Sequence, residues 1–140
     1  MYLLDTNVIS ELRKAGGGRA DAGLSEWALG VDRARLFVST ITIFEIERGL
    51  LQIERRDSPQ GLRLRAWFDR QVLAEFAGRT LPVDVAVARR CARLHVPDPR
   101  PHNDALIAAT ALVHSMTLVT RNARDFQGMG VTVLNPWLPR

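Results

Sequence analysis

Short apolar runs alternate with longer amphipathic stretches along the chain. Tyr2–Leu4, Leu36–Ser39, Thr80–Val83, Thr117–Thr120 and Val131–Leu134 have the length and composition of buried strands. Between them, apolar positions recur at helical spacing over Thr6–Ala15, Asp21–Leu29, Ile41–Arg55, Pro59–Ala77, Asp84–Leu94 and Asn103–Ser115. Strands separated by helices and short loops predict an α/β fold, a mostly parallel sheet with helices on both faces. Gly16-Gly17-Gly18 reads as a helix stop and turn. A phosphate-cradling loop needs a preceding strand and a Gly-Lys-Ser/Thr ending, and both are missing. With no internal repeat and no low-complexity tail, the pattern predicts one domain over residues 1–140.

The helices Ile41–Arg55 and Pro59–Ala77 flank the turn Asp57-Ser58-Pro59 and read as a helical hairpin. The second carries Leu62, Leu64, Trp67, Phe68, Val72, Leu73 and Phe76, more apolar surface than one stripe facing a sheet requires. Two uses fit this excess: closing the core, or meeting an oligomeric or other protein partner.

Composition narrows the class. A chain of 140 residues that is 46% hydrophobic and 24% charged suits a globular domain and argues against disorder. No apolar run approaches the ~20 residues of a membrane-spanning helix. Asp5 interrupts the one apolar start, and the lone Cys91 lies in an apolar helical pattern as a packed thiol. Together these predict a cytoplasmic protein. The formal net charge is +4, and Lys14 is the only lysine among the basic residues. The planar arginine fork suits phosphate, which makes a nucleic acid a candidate partner. Arginine preference also follows from genome composition, so charge alone leaves the partner open.

Four acids carry the candidate chemistry. Asp5 follows the first strand and precedes a helix, where open α/β sheets bind their ligands. Glu45 falls about one turn into the helix after the second strand, among Ile41, Phe44 and Ile46, whereas neighbouring Glu47 reads as a partner for Arg48 or solvent. Asp104 lies at the start of an alanine-rich helix, and Asp125 in the loop after the fourth strand. Each has an ordinary structural explanation: Asp5 caps a helix, Glu45 faces solvent, Asn103 or Asp104 caps a helix, and Asn122 or Asp125 holds a turn. Their joint position at strand exits and helix starts is harder to explain that way. Two unit charges 4 Å apart repel by ~4 kcal/mol at an effective dielectric near 20, a cost that a divalent cation removes. Oxygen ligands suit Mg²⁺ or Mn²⁺ rather than zinc. His95, His102 and His114 lack tight metal spacing and read as structural or surface residues. Such an ion activates water and neutralises a phosphodiester, so acids within an arginine-rich surface suit a nuclease.

The motifs then resemble a known family. Tyr2-Leu3-Leu4-Asp5-Thr6-Asn7, Ser39 to Ile46 with Gly49, Asn103 to Ala111, and Thr120 to Phe126 are similar, in order, to the four acidic motifs of PIN domains, specifically VapC-type toxins of toxin–antitoxin modules. Ile46 departs from the leucine many relatives carry, which affects nothing catalytic. The resemblance implies a five-stranded parallel sheet of order 3-2-1-4-5 flanked by helices on both faces, and a homodimer. It implies a Mg²⁺- or Mn²⁺-dependent endoribonuclease that inhibits translation, paired with a VapB-type antitoxin, a small DNA-binding protein. By motif, Asp5, Glu45, Asp104 and Asp125 form the catalytic and metal site. Asp5 and Asp104 are the direct ligands, Glu45 binds through or activates water, and Asp125 binds a second ion or positions water. Thr6, Asn7, Thr120 and Asn122 orient the carboxylates or the phosphate. The antitoxin is expected to dock on the Ile41–Ala77 hairpin, with Trp67 and Phe68 contributing to the contact.

Two other readings remain open at this level. A haloacid-dehalogenase-type phosphatase also begins with a strand ending in aspartate, but needs a second aspartate where this chain has Asn7. A catalytically silent RNA- or partner-binding PIN domain would keep the fold without the activity; nothing among the four acids favours it.

Overall fold

Two adjacent leucines explain why the first strand is central. In the extended run Tyr2–Leu4 (β1) successive side chains face opposite sides. Leu4 packs into a core with Val8, Leu24, Trp27, Val38, Phe68 and Val119, while Leu3 packs on the other side with Ile107, Ala108, Ala111 and Leu118. A strand buried on both faces belongs in the middle of a parallel sheet. In the computed structural model, which describes residues 1–137, β1 pairs on one side with Leu36–Ser39 (β2) and on the other with Thr117–Val119 (β4). Thr80–Leu81 (β3) and Val133–Leu134 (β5) complete a parallel five-stranded sheet of order β3-β2-β1-β4-β5. This is the order the resemblance implies. Positions 138–140 of the expected 1–140 domain lie outside the described residues.

Most helices start at a short polar side chain that caps their first turn. Asp5 caps Thr6–Leu12 (α1), Asp21 caps Ala22–Leu29 (α2), Ser39 caps Thr40–Arg56 (α3), Asp57 caps Ser58–Trp67 (α4), and Asp84 caps Val85–Leu94 (α6). In each the side chain accepts a main-chain N–H of the first turn, which the helix itself leaves unbonded. His102–Val113 (α7) differs. It begins after Pro101 with no side-chain cap, so neither Asn103 nor Asp104 caps it.

Several boundaries move from their expected places. The helix expected over Thr6–Ala15 ends at Leu12 and tightens into a 3₁₀ turn over Arg13–Gly17, closed by Gly18 at φ +69°. The left-handed backbone there suits glycine. The helix expected over Pro59–Ala77 is interrupted by a π-helical turn at Phe68–Val72 before a short segment, Leu73–Glu75 (α5). The wide turn keeps Phe68, Val72 and Phe76, spaced four apart, together in the core. That divides the apolar excess of the hairpin. Phe68 is fully buried and Trp67 and Leu64 pack against the core, whereas Leu62 is 74% exposed. Phe68 therefore closes the core and has no surface to offer a partner.

The hairpin is pinned by Arg65. Its guanidinium contacts Glu47 at 2.5 Å, Glu54 at 3.1 Å and Asp69 at 3.6 Å. Glu47 thus pairs across the hairpin with Arg65, while Arg48 lies over the Phe44 ring. Gly61 allows the close crossing, since a Cβ there would meet the Glu54 Cα at 2.8 Å. Gly49, in α3, would meet nothing within 4 Å. Alanine improves an exposed helix interior by about 1 kcal/mol over glycine, whereas overpacking against backbone costs about 1–3 kcal/mol. Gly49→Ala is therefore expected to raise the melting temperature and Gly61→Ala to lower it. Paired thermal denaturation of the two variants checks this.

Candidate functional site

The sheet order creates the site. The chain runs from β1 to β2 on one side and returns to β4 on the other, so the carboxyl ends of β1 and β4 border a crevice. Asp5 leaves β1 at that point and Thr120 leaves β4 beside it. The Asp5 N–H still donates to the Val119 carbonyl at 2.9 Å, which fixes the start of α1 against β4.

Asp5 is 6% exposed and is satisfied by a fan of donors. Its Oδ1 accepts the Thr6 N–H at 2.8 Å; its Oδ2 accepts the Thr120 hydroxyl at 2.8 Å and the Asn7 amide at 3.2 Å. Burial raises its pKa, the Thr120 and Thr6 hydrogen bonds oppose the rise, and the Glu45 charge adds to it. Capping and site-building are thus the same set of contacts. Asn7 also donates to the Thr120 hydroxyl at 3.2 Å and accepts the Arg121 N–H at 3.1 Å. It therefore closes the loop after β4 and offers no second carboxylate of the phosphatase kind.

Glu45 reaches the same place from α3. Its Oε1 accepts the Thr6 hydroxyl at 2.5 Å and its Oε2 accepts the Asn103 amide at 3.2 Å. Asn103 was not among the expected site residues; only its place beside Asp104 at a helix start pointed to it. Asp104, one residue on, takes no hydrogen bond among the described residues. Its pKa is pushed up to about 6, by burial first and then by the charges of Asp5, Asp125 and Glu45. The structure thus brings all four acids within electrostatic reach. Asp125 stands exposed in the 3₁₀ turn Ala123–Phe126; its main-chain N–H donates to the Asn122 carbonyl at 3.0 Å, and its carboxylate takes no hydrogen bond among the described residues. Asn122 acts through its main chain, whose N–H donates to the Thr120 hydroxyl at 3.0 Å.

No lysine or arginine forms an ion pair with any of these acids among the described residues. Nor, among those residues, does any group of three or more histidine, cysteine, aspartate or glutamate side chains form a site that would hold a metal ion by itself. Magnesium commonly uses one or two carboxylates, with waters and substrate phosphate filling its remaining positions, so an open arrangement of oxygens fits it better than a closed cage. The donor set is all oxygen, and the histidines lie elsewhere. The His95 and His102 rings meet at a 45° tilt with centroids 5.0 Å apart, and His95 accepts the Arg100 N–H. Cys91 is buried in the α6–α7 cluster, and burial raises its pKa.

Residues 2–130 match the PIN domain family. The chain belongs to the PIN-domain family. It is 35% identical to VapC ribonuclease Y4jK of Sinorhizobium fredii, covering 99% of both chains. It also superposes on the crystal structure of FitAcB from Neisseria gonorrhoeae with a TM-score of 0.87 at 32% identity, covering 98% of this chain and 99% of that one. A toxin–antitoxin complex from Klebsiella pneumoniae matches with a TM-score of 0.67 at 26% identity, covering 97% and 98%. Among the described residues no helix is long and apolar enough to cross a membrane.

The raised pKa of Asp104 in this PIN domain has a consequence for stability. A carboxylate whose folded pKa is above its unfolded value stabilises the fold at low pH, and that contribution is lost as pH rises through the folded pKa. The window here runs from the ordinary 3.8 up to about 6. Asp104→Asn is expected to melt at a higher temperature than the parent at neutral pH in EDTA. The difference should shrink toward pH 4, and a pH series of melting curves checks it.

Proposed function

We propose that the chain is a metal-dependent endoribonuclease that hydrolyses RNA phosphodiesters, and that it is the toxin of a toxin–antitoxin pair and inhibits translation. The observation that carries this is Asp104: a carboxylate raised to about 6 by burial first and then by the charges of three neighbouring acids, with no protein cation ion-paired to any of the four among the described residues. That electrostatic deficit calls for a divalent cation. The ribonuclease name of the Sinorhizobium fredii relative supports the reaction class.

Asp5 and Asp104 would hold Mg²⁺ or Mn²⁺, with Glu45 and Asp125 completing the acidic surround. Such an ion orients and acidifies water and neutralises charge on the phosphodiester. Asp5 is fixed by Thr6, Asn7 and Thr120, so its free lone pairs keep one orientation. Glu45, held between Thr6 and Asn103, takes the proton of the attacking water or binds that water. Asp125, exposed and with its carboxylate unbonded among the described residues, positions water or a second ion. Surface arginines hold the polyanion.

The partner reading follows the same relatives. The Klebsiella pneumoniae neighbour is a toxin–antitoxin complex, which supports a VapB-type antitoxin, a small DNA-binding protein, for this chain. The exposed Leu62, Leu51 and Phe44 of the hairpin suit that contact or a homodimer. A cytoplasmic location and a single PIN domain over 1–140 complete the proposal.

Cleavage of cellular RNA by the antitoxin-free protein with Mg²⁺ or Mn²⁺ is expected, together with its loss in EDTA. Asp5→Asn and Asp104→Asn are expected to reduce the rate to background. No cleavage with either metal refutes the enzyme and leaves a silent PIN domain; intact cleavage in the variants refutes the site. Asn103→Ala is expected to weaken metal activation about 10–100-fold, with recovery at higher metal concentration. A metal titration of the rate checks it.

A further inference from the structure

Beside the acids the surface sinks into a groove of about 460 Å³, within the usual range of ligand sites. Thr6, Asn7 and Glu45 line it where it meets the acids, and the hairpin contributes Leu64 and Trp67. Two arginine–tryptophan pairs face this groove. The Arg13 guanidinium lies over the Trp67 ring at 6.0 Å, and that of Arg121 over the Trp137 ring at 5.8 Å. Neither guanidinium is ion-paired or hydrogen-bonded to a carboxylate among the described residues. The remaining cation, Lys14, is paired with Glu11 at 3.1 Å.

The second pair is tied to the acid site through the main chain. The Arg121 N–H donates to Asn7, its carbonyl accepts the Asn135 amide at 3.1 Å, and Asn135 accepts the Trp137 N–H at 3.0 Å. Asn7 in turn donates to Asp5. Whatever lies on Trp137 is therefore held at a fixed offset from the Asp5 carboxylate.

Each indole is half-buried against the core, and its exposed part offers a flat ring for a base, with the guanidinium beside it supplying donors for phosphate. Single-stranded RNA requires that combination, whereas a duplex stacks its bases away from such rings. Arg121 feels the Glu11 charge across the groove, yet neither guanidinium is tied up in an ion pair among the described residues, which favours an anionic chain over a basic or apolar peptide. Resting on the nuclease reading above, we propose that the groove is a base-binding subsite for single-stranded RNA. Trp67 and Trp137 stack unpaired bases, Arg13 and Arg121 hold the adjoining phosphates, and the strand continues onto the acids.

Fluorescence anisotropy with a short labelled single-stranded RNA, in EDTA so that cleavage does not intervene, tests this. The strand is expected to bind on the order of tenfold more tightly than the same backbone with its bases removed. Trp67→Leu with Trp137→Leu is expected to erase that preference, and Trp67→Phe with Trp137→Phe, which keeps both rings, to retain it. Arg13→Ala with Arg121→Ala, two exposed positions outside the core, is expected to weaken both strands alike. Equal binding of the two strands by the parent overturns the proposal. So does a preference that survives in the leucine variant, and loss of protein-partner binding in that variant would then assign the groove to a peptide. Failure of the nuclease reading looks different: the base preference is present, yet adding Mg²⁺ or Mn²⁺ yields no cleavage.

Discussion

The structure turns on a hydrogen bond across the seam between β1 and β4, from the Thr120 hydroxyl to the Asp5 carboxylate. A buried carboxylate costs several kcal/mol unless donors replace its water. Here the donors come from the next residue in the chain, from Asn7 one helical step on, and from a strand near the other end of the sequence. They meet only if Leu4 and Val119 are in register, so the ladder that builds the core also builds the site. Glu45 and Asn103 extend the network to α3 and α7.

The acids of this protein are treated in two distinct ways. On the hairpin, Glu47, Glu54 and Asp69 surround a single arginine and serve packing. At the crevice, Asp5 and Glu45 accept from neutral donors, Asp104 and Asp125 accept from none, and no cation pairs with any of the four among the described residues. The first arrangement neutralises charge within the protein. The second leaves it for something from solution, and that contrast separates the candidate site from ordinary surface acids.

Much of this was legible in the sequence because two periodicities and a position rule govern it. Tyr2–Leu4 and Leu36–Ser39 read correctly since both are short and apolar, the first followed at once by a capping side chain and the second ending on one. The edge strands β3 and β5 came out shorter than their apolar runs, because each pairs on one side only. The π turn at Phe68–Val72 was hidden, since a four-residue apolar spacing looks continuous until the core it fits is known. Asp5 was visible from its place at a strand end, and Glu45 and Asp104 from the motifs. Asn103 was not recognised as a site residue because its partner Glu45 lies 58 residues away, and proximity over that span is a property of the fold. The same ignorance of depth made Phe68 look available on the surface when it is fully buried.

Asp5 and Thr120 are separated by 115 residues, and that span sets when the protein becomes competent during its own synthesis. A ribosome that has released β1, the hairpin and β3 has made Asp5 and Glu45 but none of the β4 contacts that hold Asp5 in place. A chain cut short before β4, or one in which β4 has not yet paired with β1, therefore has a disassembled acidic centre, whatever local helices it has formed. For a protein proposed to attack the translation machinery, this arrangement withholds the activity from a nascent chain until the β1–β4 seam is closed.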